Sequence, residues 1–264
     1  MTAVRTDAAP LAPVMHALAA MRARHGDGAT HGLAPGLVVD DLRGWVPATA
    51  LVRGGPAALD DLLDAAKQRW NAPTHVAAAL AWKSYSYWVA LPAVLGWAAA
   101  RRVPPVRAED VLVRYADHQP FLQVALRRPD VAVLPSDPLA AAAQPGVRVV
   151  PDEPALLTFL STALVDEHLA PLLARIRDRA RLGWRTLMGS LASGVAYGLS
   201  RAADAVPGST LDCANTLLAT LGVADLVELR ELPAGELSVQ RRTCCLAFTL
   251  PEPRICAGCC IRSD

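Results

Sequence analysis

Apolar residues recur at three- and four-residue spacing in several segments of this chain, as they do on the buried face of a helix. In Pro56–Trp70 the repeat consists of Leu59, Leu62, Leu63 and Ala66. The same criterion predicts further helices at 12–24, 155–165, 168–181, 183–202 and 211–221. This pattern is typical of a chain whose core is built mainly from helices.

The most apolar stretch of the chain, Thr74–Ala100, is rich in tryptophan and tyrosine. Lys83 lies inside it, Pro92 interrupts it, and the uncharged run 84–100 is only 17 residues long. A helix needs about 20 apolar residues to cross a bilayer, and shorter runs are more often buried core helices. We therefore predict a core helix here rather than a membrane span.

Alternation with a period of two predicts strands between and after the helical segments. The predicted strands are 110–115, 121–126, 131–134, 147–150, 226–232 and 237–242. The first two form a hairpin across a turn at 117–120, the last two form a second hairpin, and 135–146 is predicted to be a loop. The fold class expected from this order is α+β, helix-dominated, with a small antiparallel sheet.

Composition and charge exclude several classes of partner. Of the 264 residues, 53% are hydrophobic and 19% are charged, which indicates a globular chain with a large core. The formal net charge of +1 gives no basic field for nucleic acid, and no polybasic run favours an anionic membrane. Asp7 and Pro10 stand where a secretory signal would turn apolar, so we expect a cytoplasmic protein.

The cysteines need an explanation other than disulfides, which are disfavoured in a reducing compartment. Cys244, Cys245, Cys256 and Cys259 follow the pattern Cys-Cys, ten residues, Cys, two residues, Cys. Four thiolates suit either zinc or iron–sulfur iron. Zinc sites normally separate paired ligands by two to four residues, so the adjacent pair fits zinc poorly. A two-iron cluster is wider and accepts ligands from different directions, provided that the adjacent pair lies in a bend.

Neighbouring residues add further candidates. Cys260 lies beside Cys259 and is a candidate substitute for it as a ligand, whereas Cys213 falls on an apolar helix where a buried free thiol is ordinary. Positive charge near a cluster favours its reduced, more negative state. The candidates for this electrostatic role are Arg241, Arg242 and Arg254, although a solvated surface position is the more ordinary explanation of each one taken singly.

Other motifs of catalysis and cofactor binding do not occur. The sequence has no glycine-rich dinucleotide loop and no His-Glu-x-x-His. His25 and His31 share a loop without carboxylates at metal-binding spacing, which favours surface residues over ligands. We predict no catalytic residue beyond the cysteine-bound centre.

The tail resembles a known signature. Arg-Arg-Thr-Cys-Cys-Leu-Ala-Phe (241–248), followed by Cys-Ala-Gly-Cys (256–259), is similar to the C-terminus of the siderophore-iron reductase family of the FhuF type. Overall length, the aromatic helix around 82–97 and the helix 182–198 are also similar to that family. The resemblance implies a 2Fe–2S cluster with four ligands, which are Cys244, Cys245, Cys256 and Cys259.

The resemblance also implies a function. A ferric-siderophore reductase transfers one electron from its cluster to chelated Fe(III) and releases Fe(II). Residues 1–225 would form an α+β siderophore-docking domain and 226–264 the cluster-binding segment. The implied partners are a ferric siderophore, most readily of the hydroxamate type, and an external electron donor such as a ferredoxin, a flavin or NAD(P)H reductase, or a small thiol.

Two alternatives remain at this point. One is a 2Fe–2S electron-transfer or sensor protein without siderophore specificity. The other is a siderophore-binding protein whose tail is stapled by zinc. For the reductase, the expected location is the cytoplasm, at the inner face of the membrane if attachment is peripheral.

Overall fold

The computed structural model describes residues 9–115, 120–142, 144–233 and 235–261. The predicted turn at 117–120 lies, apart from Pro120, outside the described residues. The α-helices are α1 (Ala12–His25), α2 (Ala48–Arg53), α3 (Pro56–Trp70), α4 (Thr74–Ala100), α5 (Pro138–Ala141), α6 (Glu153–Ser161), α7 (Ala170–Ala180), α8 (Trp184–Arg201) and α9 (Thr210–Thr220). The strands are β1 (Leu33–Val38), β2 (Val46–Pro47), β3 (Val111–Tyr115), β4 (Leu122–Leu126), β5 (Val131–Val133), β6 (Val147–Val149), β7 (Val227–Glu231) and β8 (Leu237–Arg241). The helix-dominated α+β class is confirmed.

Helix α4 forms the centre of the core, as predicted, and packs against α1, α3, α7 and α8. Nearly all of its side chains from Val76 onward are buried, and the helix continues through Pro92. The indole N–H of Trp82 donates to the carbonyl oxygen of Leu187 at 2.6 Å, which joins α4 to α8 in the protein interior. Glycine at position 198 lets α8 approach closely, because a Cβ there would press on Leu91.

The sheets differ in part from the prediction. Strands β3 and β4 pair antiparallel as predicted, in a four-stranded sheet of order β1-β4-β3-β2. Strand β1 was not predicted, because Pro35 and Gly36 break its alternation, and it runs parallel to β4. Strands β5 and β6 also pair parallel, so the sheets are mixed rather than purely antiparallel. The C-terminal hairpin of β7 and β8 is confirmed.

Two helical boundaries also differ. Residues 135–146, predicted to be a loop, contain the single turn α5, in which the Leu139 N–H donates to the Asp137 carboxylate at 2.8 Å. The predicted break between 165 and 168 is instead a π-helical stretch, Thr162–Leu169, which joins α6 to α7 without interruption. Among the described residues this joined segment, Glu153–Ala180, is long and apolar enough to cross a membrane. That is weak evidence for a span, because buried core helices meet the same criterion.

The π-helical stretch buries His168 completely. Its Nδ1 lies 2.6 Å from the Val106 carbonyl oxygen, so this nitrogen carries the proton and donates. Its Nε2 lies 2.7 Å from the Tyr85 hydroxyl and accepts from it. Both ring nitrogens are therefore satisfied in the neutral imidazole, and burial lowers the pKa of His168 to about 4.

We expect this buried histidine to make the fold acid-sensitive. The pKa of about 4 in the folded state lies below the ordinary value of about 6.5 in the unfolded chain. The stabilisation is complete above pH 6.5 and is lost as the pH falls through the folded pKa, with a total of about 3 kcal/mol. Urea unfolding of the wild type and of His168→Gln between pH 7 and pH 5 tests this expectation.

The variant should be less stable at pH 7 but should show a flatter fall of unfolding free energy with decreasing pH. The exposed His16→Gln is the matched control and should keep the wild-type slope. An unchanged slope in His168→Gln would contradict the neutral, buried imidazole.

Candidate functional site

The residues after β8 fold back over α4. Cys245, Ala247 and Leu250 of this tail form a small apolar cluster with Val76 and Leu80 of α4. The tail (residues 242–261) therefore lies against the first turns of α4 through buried side chains. It carries every cysteine of the chain except Cys213.

The turn with the second cysteine pair is fastened to β8. The Cys259 N–H donates to the Cys256 carbonyl at 3.1 Å, and the Arg241 N–H donates to the Gly258 carbonyl at 2.9 Å. Position 258 must be glycine in this arrangement, because a Cβ there would overlap the carbonyl oxygen of Val239. The turn is thus held by backbone contact with the strand.

The first cysteine pair lies between bends at 242–243 and 246. Cys245 is buried and Cys244 is half-buried. Leu246 follows them with φ of 64°, in the left-handed region, and its N–H donates to the Cys244 Sγ at 3.2 Å. The backbone around the pair therefore departs from an extended strand, in which the two adjacent side chains would point to opposite faces.

The structure brings the tail cysteines near one another. Burial raises the pKa of the Cys256 thiol, and the nearby thiols of Cys245 and Cys259 raise it further. Burial also raises the pKa of the Cys260 thiol. The neighbouring thiols of Cys244 and Cys259 raise the same pKa further. Cys260 thus lies beside Cys244, and Cys259 lies near both groups of thiols.

No group of three or more metal-ligating side chains is close enough to hold one ion, within the part of the chain that the structure describes. In a 2Fe–2S cluster the four cysteines are divided between two irons. The set Cys244, Cys245, Cys256 and Cys259, with Cys260 as substitute, therefore stays a prediction.

Arg241 is a buried cation beside these thiols. It is 2% exposed, its Nε donates to the Thr243 carbonyl at 3.2 Å, and its Nη2 donates to the Ser190 hydroxyl at 3.0 Å. Its Nη1 has no hydrogen-bond partner, and none of the described carboxylates forms an ion pair with it. A buried charge is costly unless an opposite charge compensates it.

A second cation reaches the tail from α4. The Lys83 Nζ lies 3.9 Å from the Cys245 Sγ, and no carboxylate within the described ranges pairs with it. Lys83 and Arg241 both lower the pKa of Cys256, against the larger effect of burial. As metal-bound thiolates, the cysteines would supply a negative charge to both cations. The donor set and the unfilled N–H of Arg241 therefore fit a thiolate-ligated, negatively charged iron–sulfur centre.

The other two arginine candidates are exposed. The side chain of Arg242 is 54% exposed and faces Glu228, with 3.8 Å between nitrogen and oxygen. Arg254 is exposed and is anchored by its backbone N–H to the Ala247 carbonyl at 3.0 Å. Cys213 is buried in α9, as expected for a structural thiol.

Two cavities adjoin the tail. The tail cavity has a volume of about 340 Å³ and is lined by residues that include Trp70, Leu80, Lys83, Cys245, Arg254 and Cys256. The α4–α8 cavity has a volume of about 500 Å³ and is lined by residues that include His31, Lys83, Tyr87, Trp88, Tyr197 and Arg201. Lys83 and Ser84 line both cavities, so the two spaces meet at these residues.

Lys83, Tyr87 and Arg201 were not singled out from the sequence as site residues. The available signal was Lys83, the single charge inside the most apolar helix of the chain. Such an isolated charge within a core helix needs a partner or a function. Nothing in the sequence marked Arg201 among the many other arginines.

Comparison with known families adds one match. A family model described as "Ferric iron reductase FhuF-like transporter" matches residues 80–236. The match covers α4 from Leu80 onward, the following strands and helices, and β7, and it ends before the cysteine tail. A search of the curated proteins finds no match.

Proposed function

Because the chain belongs to the FhuF-like ferric iron reductase family, we propose that it is a ferric-siderophore reductase whose cofactor is a 2Fe–2S cluster. The observation that carries the proposal is the cysteine tail beside the α4–α8 cavity, with two cations, Arg241 and Lys83, that no described carboxylate compensates. The family match supports the ferric reductase role, and the tail supplies the chemistry that such a role needs.

In this proposal Cys244, Cys245, Cys256 and Cys259 hold the cluster. When bound, a 2Fe–2S cluster supplies one-electron transfer. Lys83 and Arg241 place positive charge beside the thiolates, which stabilises added negative charge and so raises the reduction potential. The packing of Cys245 against α4 gives this side of the site an apolar wall.

The substrate chemistry follows from the oxygen ligands of siderophores. Fe(III) in the chelate accepts one electron and becomes Fe(II), which the hard oxygen ligands hold much more weakly, and the metal dissociates. The electron comes from an external donor, for which we propose a ferredoxin, a flavin or NAD(P)H reductase, or a small thiol. We also propose that residues 1–225 dock the chelate and that the protein works in the cytoplasm, peripherally at the inner face of the membrane.

Spectroscopy of anaerobically purified protein tests the cofactor. We expect about two irons and two sulfides per chain and a spin-half EPR signal after dithionite reduction. Stopped-flow mixing of the reduced protein with a ferric siderophore should then reoxidise it, with Fe(II) captured by a ferrous indicator.

Three results would contradict the reductase. A colourless protein with one zinc per chain would favour the zinc-stapled alternative. A reversible cluster that reduces ferric chelates no faster than a simple protein acceptor would favour an electron-transfer or sensor protein. Iron bound without sulfide would rule out a 2Fe–2S cluster as the cofactor.

A further inference from the structure

We infer that the α4–α8 cavity is the binding site of the ferric chelate and that it selects chelates with a net negative charge. This assignment rests on the proposed function and adds to it the location and the charge class of the substrate. It departs from the hydroxamate type that the family resemblance implied. Three hydroxamate groups neutralise Fe(III), whereas three catecholates leave the complex anionic.

The charges that line the cavity are positive. Lys83 and Arg201 are part of its wall, and no aspartate or glutamate lines it. Neither cation forms an ion pair with a carboxylate among the residues described. Lys83 also lies 3.9 Å from the Cys245 Sγ, so Arg201 is the wall cation left for a ligand. A half-buried cation in a concave, partly apolar wall attracts an anion more strongly than the same charge on an open surface.

A hydrogen-bond donor completes this wall. The Tyr87 hydroxyl is buried and has no partner in good hydrogen-bond geometry among the described residues, and the Arg201 guanidinium lies close enough to lower its pKa. Burial raises the pKa of Tyr87 against the smaller opposing effect of Arg201, so the phenol keeps its proton. An unpartnered buried donor at a cavity wall is a group whose acceptor comes with a ligand.

Aromatic rings form a further part of the wall, beside small residues that include Ser193 and Gly194, and they suit a large organic chelator. Tyr87 and Trp88 contact edge to face with centroids 4.6 Å apart, and His31 lies 5.4 Å from Trp88. Glycine at position 32 makes room for the indole, because a Cβ there would overlap the Trp88 ring. These contacts fix the Trp88 ring at the cavity.

The cavity is also placed for electron transfer. Lys83 lines it and at the same time reaches to 3.9 Å from the Cys245 Sγ. A chelate seated between α4 and α8 is therefore separated from the predicted cluster ligand by one side chain. The volume of about 500 Å³ lies within the range of sites for small organic ligands.

Binding of gallium chelates tests the assignment without any electron transfer, because Ga(III) has the charge of Fe(III) but is not reduced under these conditions. The probes are the Ga(III) complexes of a tris-catecholate and of a tris-hydroxamate chelator, titrated against the full-length protein as purified. Tryptophan fluorescence and calorimetry give Kd. We expect the wild type to bind the anionic complex at least ~10-fold more tightly, with a difference that shrinks at high salt.

Variants locate the site. Arg201→Gln should weaken binding of the anionic complex ~10-fold and of the neutral complex less than ~3-fold, and Tyr87→Phe should weaken both several-fold. The control is Arg53→Gln, an exposed arginine on α2 outside both cavities, which should bind as the wild type does. Equal affinities for the two complexes would overturn the charge selection. Loss of binding in Arg254→Gln but not in Arg201→Gln would move the chelate to the tail cavity and overturn the location.

Failure of this assignment differs from failure of the reductase. If the Arg201→Gln variant reduces ferric chelates at the wild-type rate, the reductase function stands and the assignment of the chelate to the α4–α8 cavity fails. A protein that binds the gallium complexes as described but does not reduce Fe(III) keeps the site and loses the reductase function.

Discussion

Cys245→Ala is expected to abolish the iron–sulfur absorbance and to lower ferric-siderophore reduction at least ~100-fold. Cys245 is 5% exposed and packs against Val76 and Leu80, so its loss leaves an apolar wall without a ligand at this position. The same change removes the anion beside Lys83 and leaves that cation without a partner. Iron and sulfide analysis, visible spectra and stopped-flow turnover measure these effects.

Matched cysteine variants separate ligation from general sensitivity. Cys213→Ala removes a buried thiol in α9 and should keep the iron content of the wild type. Cys259→Ala should lose the cluster and Cys260→Ala should keep it, if the ligand set is the one that the resemblance implies. The opposite outcome would make Cys260 the fourth ligand, which its position beside Cys244 allows. A Cys245→Ala protein with normal iron content would contradict the proposed site.

The fold was predictable from sequence wherever an apolar face repeats locally. Helix α3 shows this, because its four leucine and alanine positions fall on one face and are all buried. Strand β1 shows the opposite case. Its Pro35 and Gly36 are exposed. It forms a strand because its backbone pairs with the neighbouring strand β4. Such a strand is specified by tertiary contact rather than by its own residues.

The cysteines of the site were predictable because their spacing is local, but their electrostatic neighbours were not. Lys83 is 162 positions from Cys245, and only the packing of the tail on α4 brings them together. For the arginines, the sequence did contain a signal that distinguishes Arg241 from Arg242. Leu237, Val239 and Arg241 alternate along β8 and share its buried face, which leaves the next residue, Arg242, on the exposed side.

Gly258→Ala is expected to have the second large effect, because the turn of the second cysteine pair has no space for a side chain. The added Cβ would overlap the carbonyl oxygen of Val239 and approach the Tyr197 hydroxyl at 2.6 Å. Backbone cannot yield as a flexible side chain does, so the turn must move away from β8 and carry Cys256 and Cys259 with it. We expect cluster affinity to fall ~10- to 100-fold, as measured by iron retention during dialysis against a chelator.

The rest of the molecule should remain folded in this variant, because the displaced turn lies in the C-terminal tail and not in the core around α4. The far-UV circular dichroism should therefore match the wild type, with a loss of stability of about 1–3 kcal/mol. Gly55→Ala is the matched control, since a Cβ at that position meets no atom within 4 Å. If Gly258→Ala retained iron as the control does, the contact of the turn with β8 would not be what positions Cys256 and Cys259, and the ligands would have to be held by the bend at Leu246 instead.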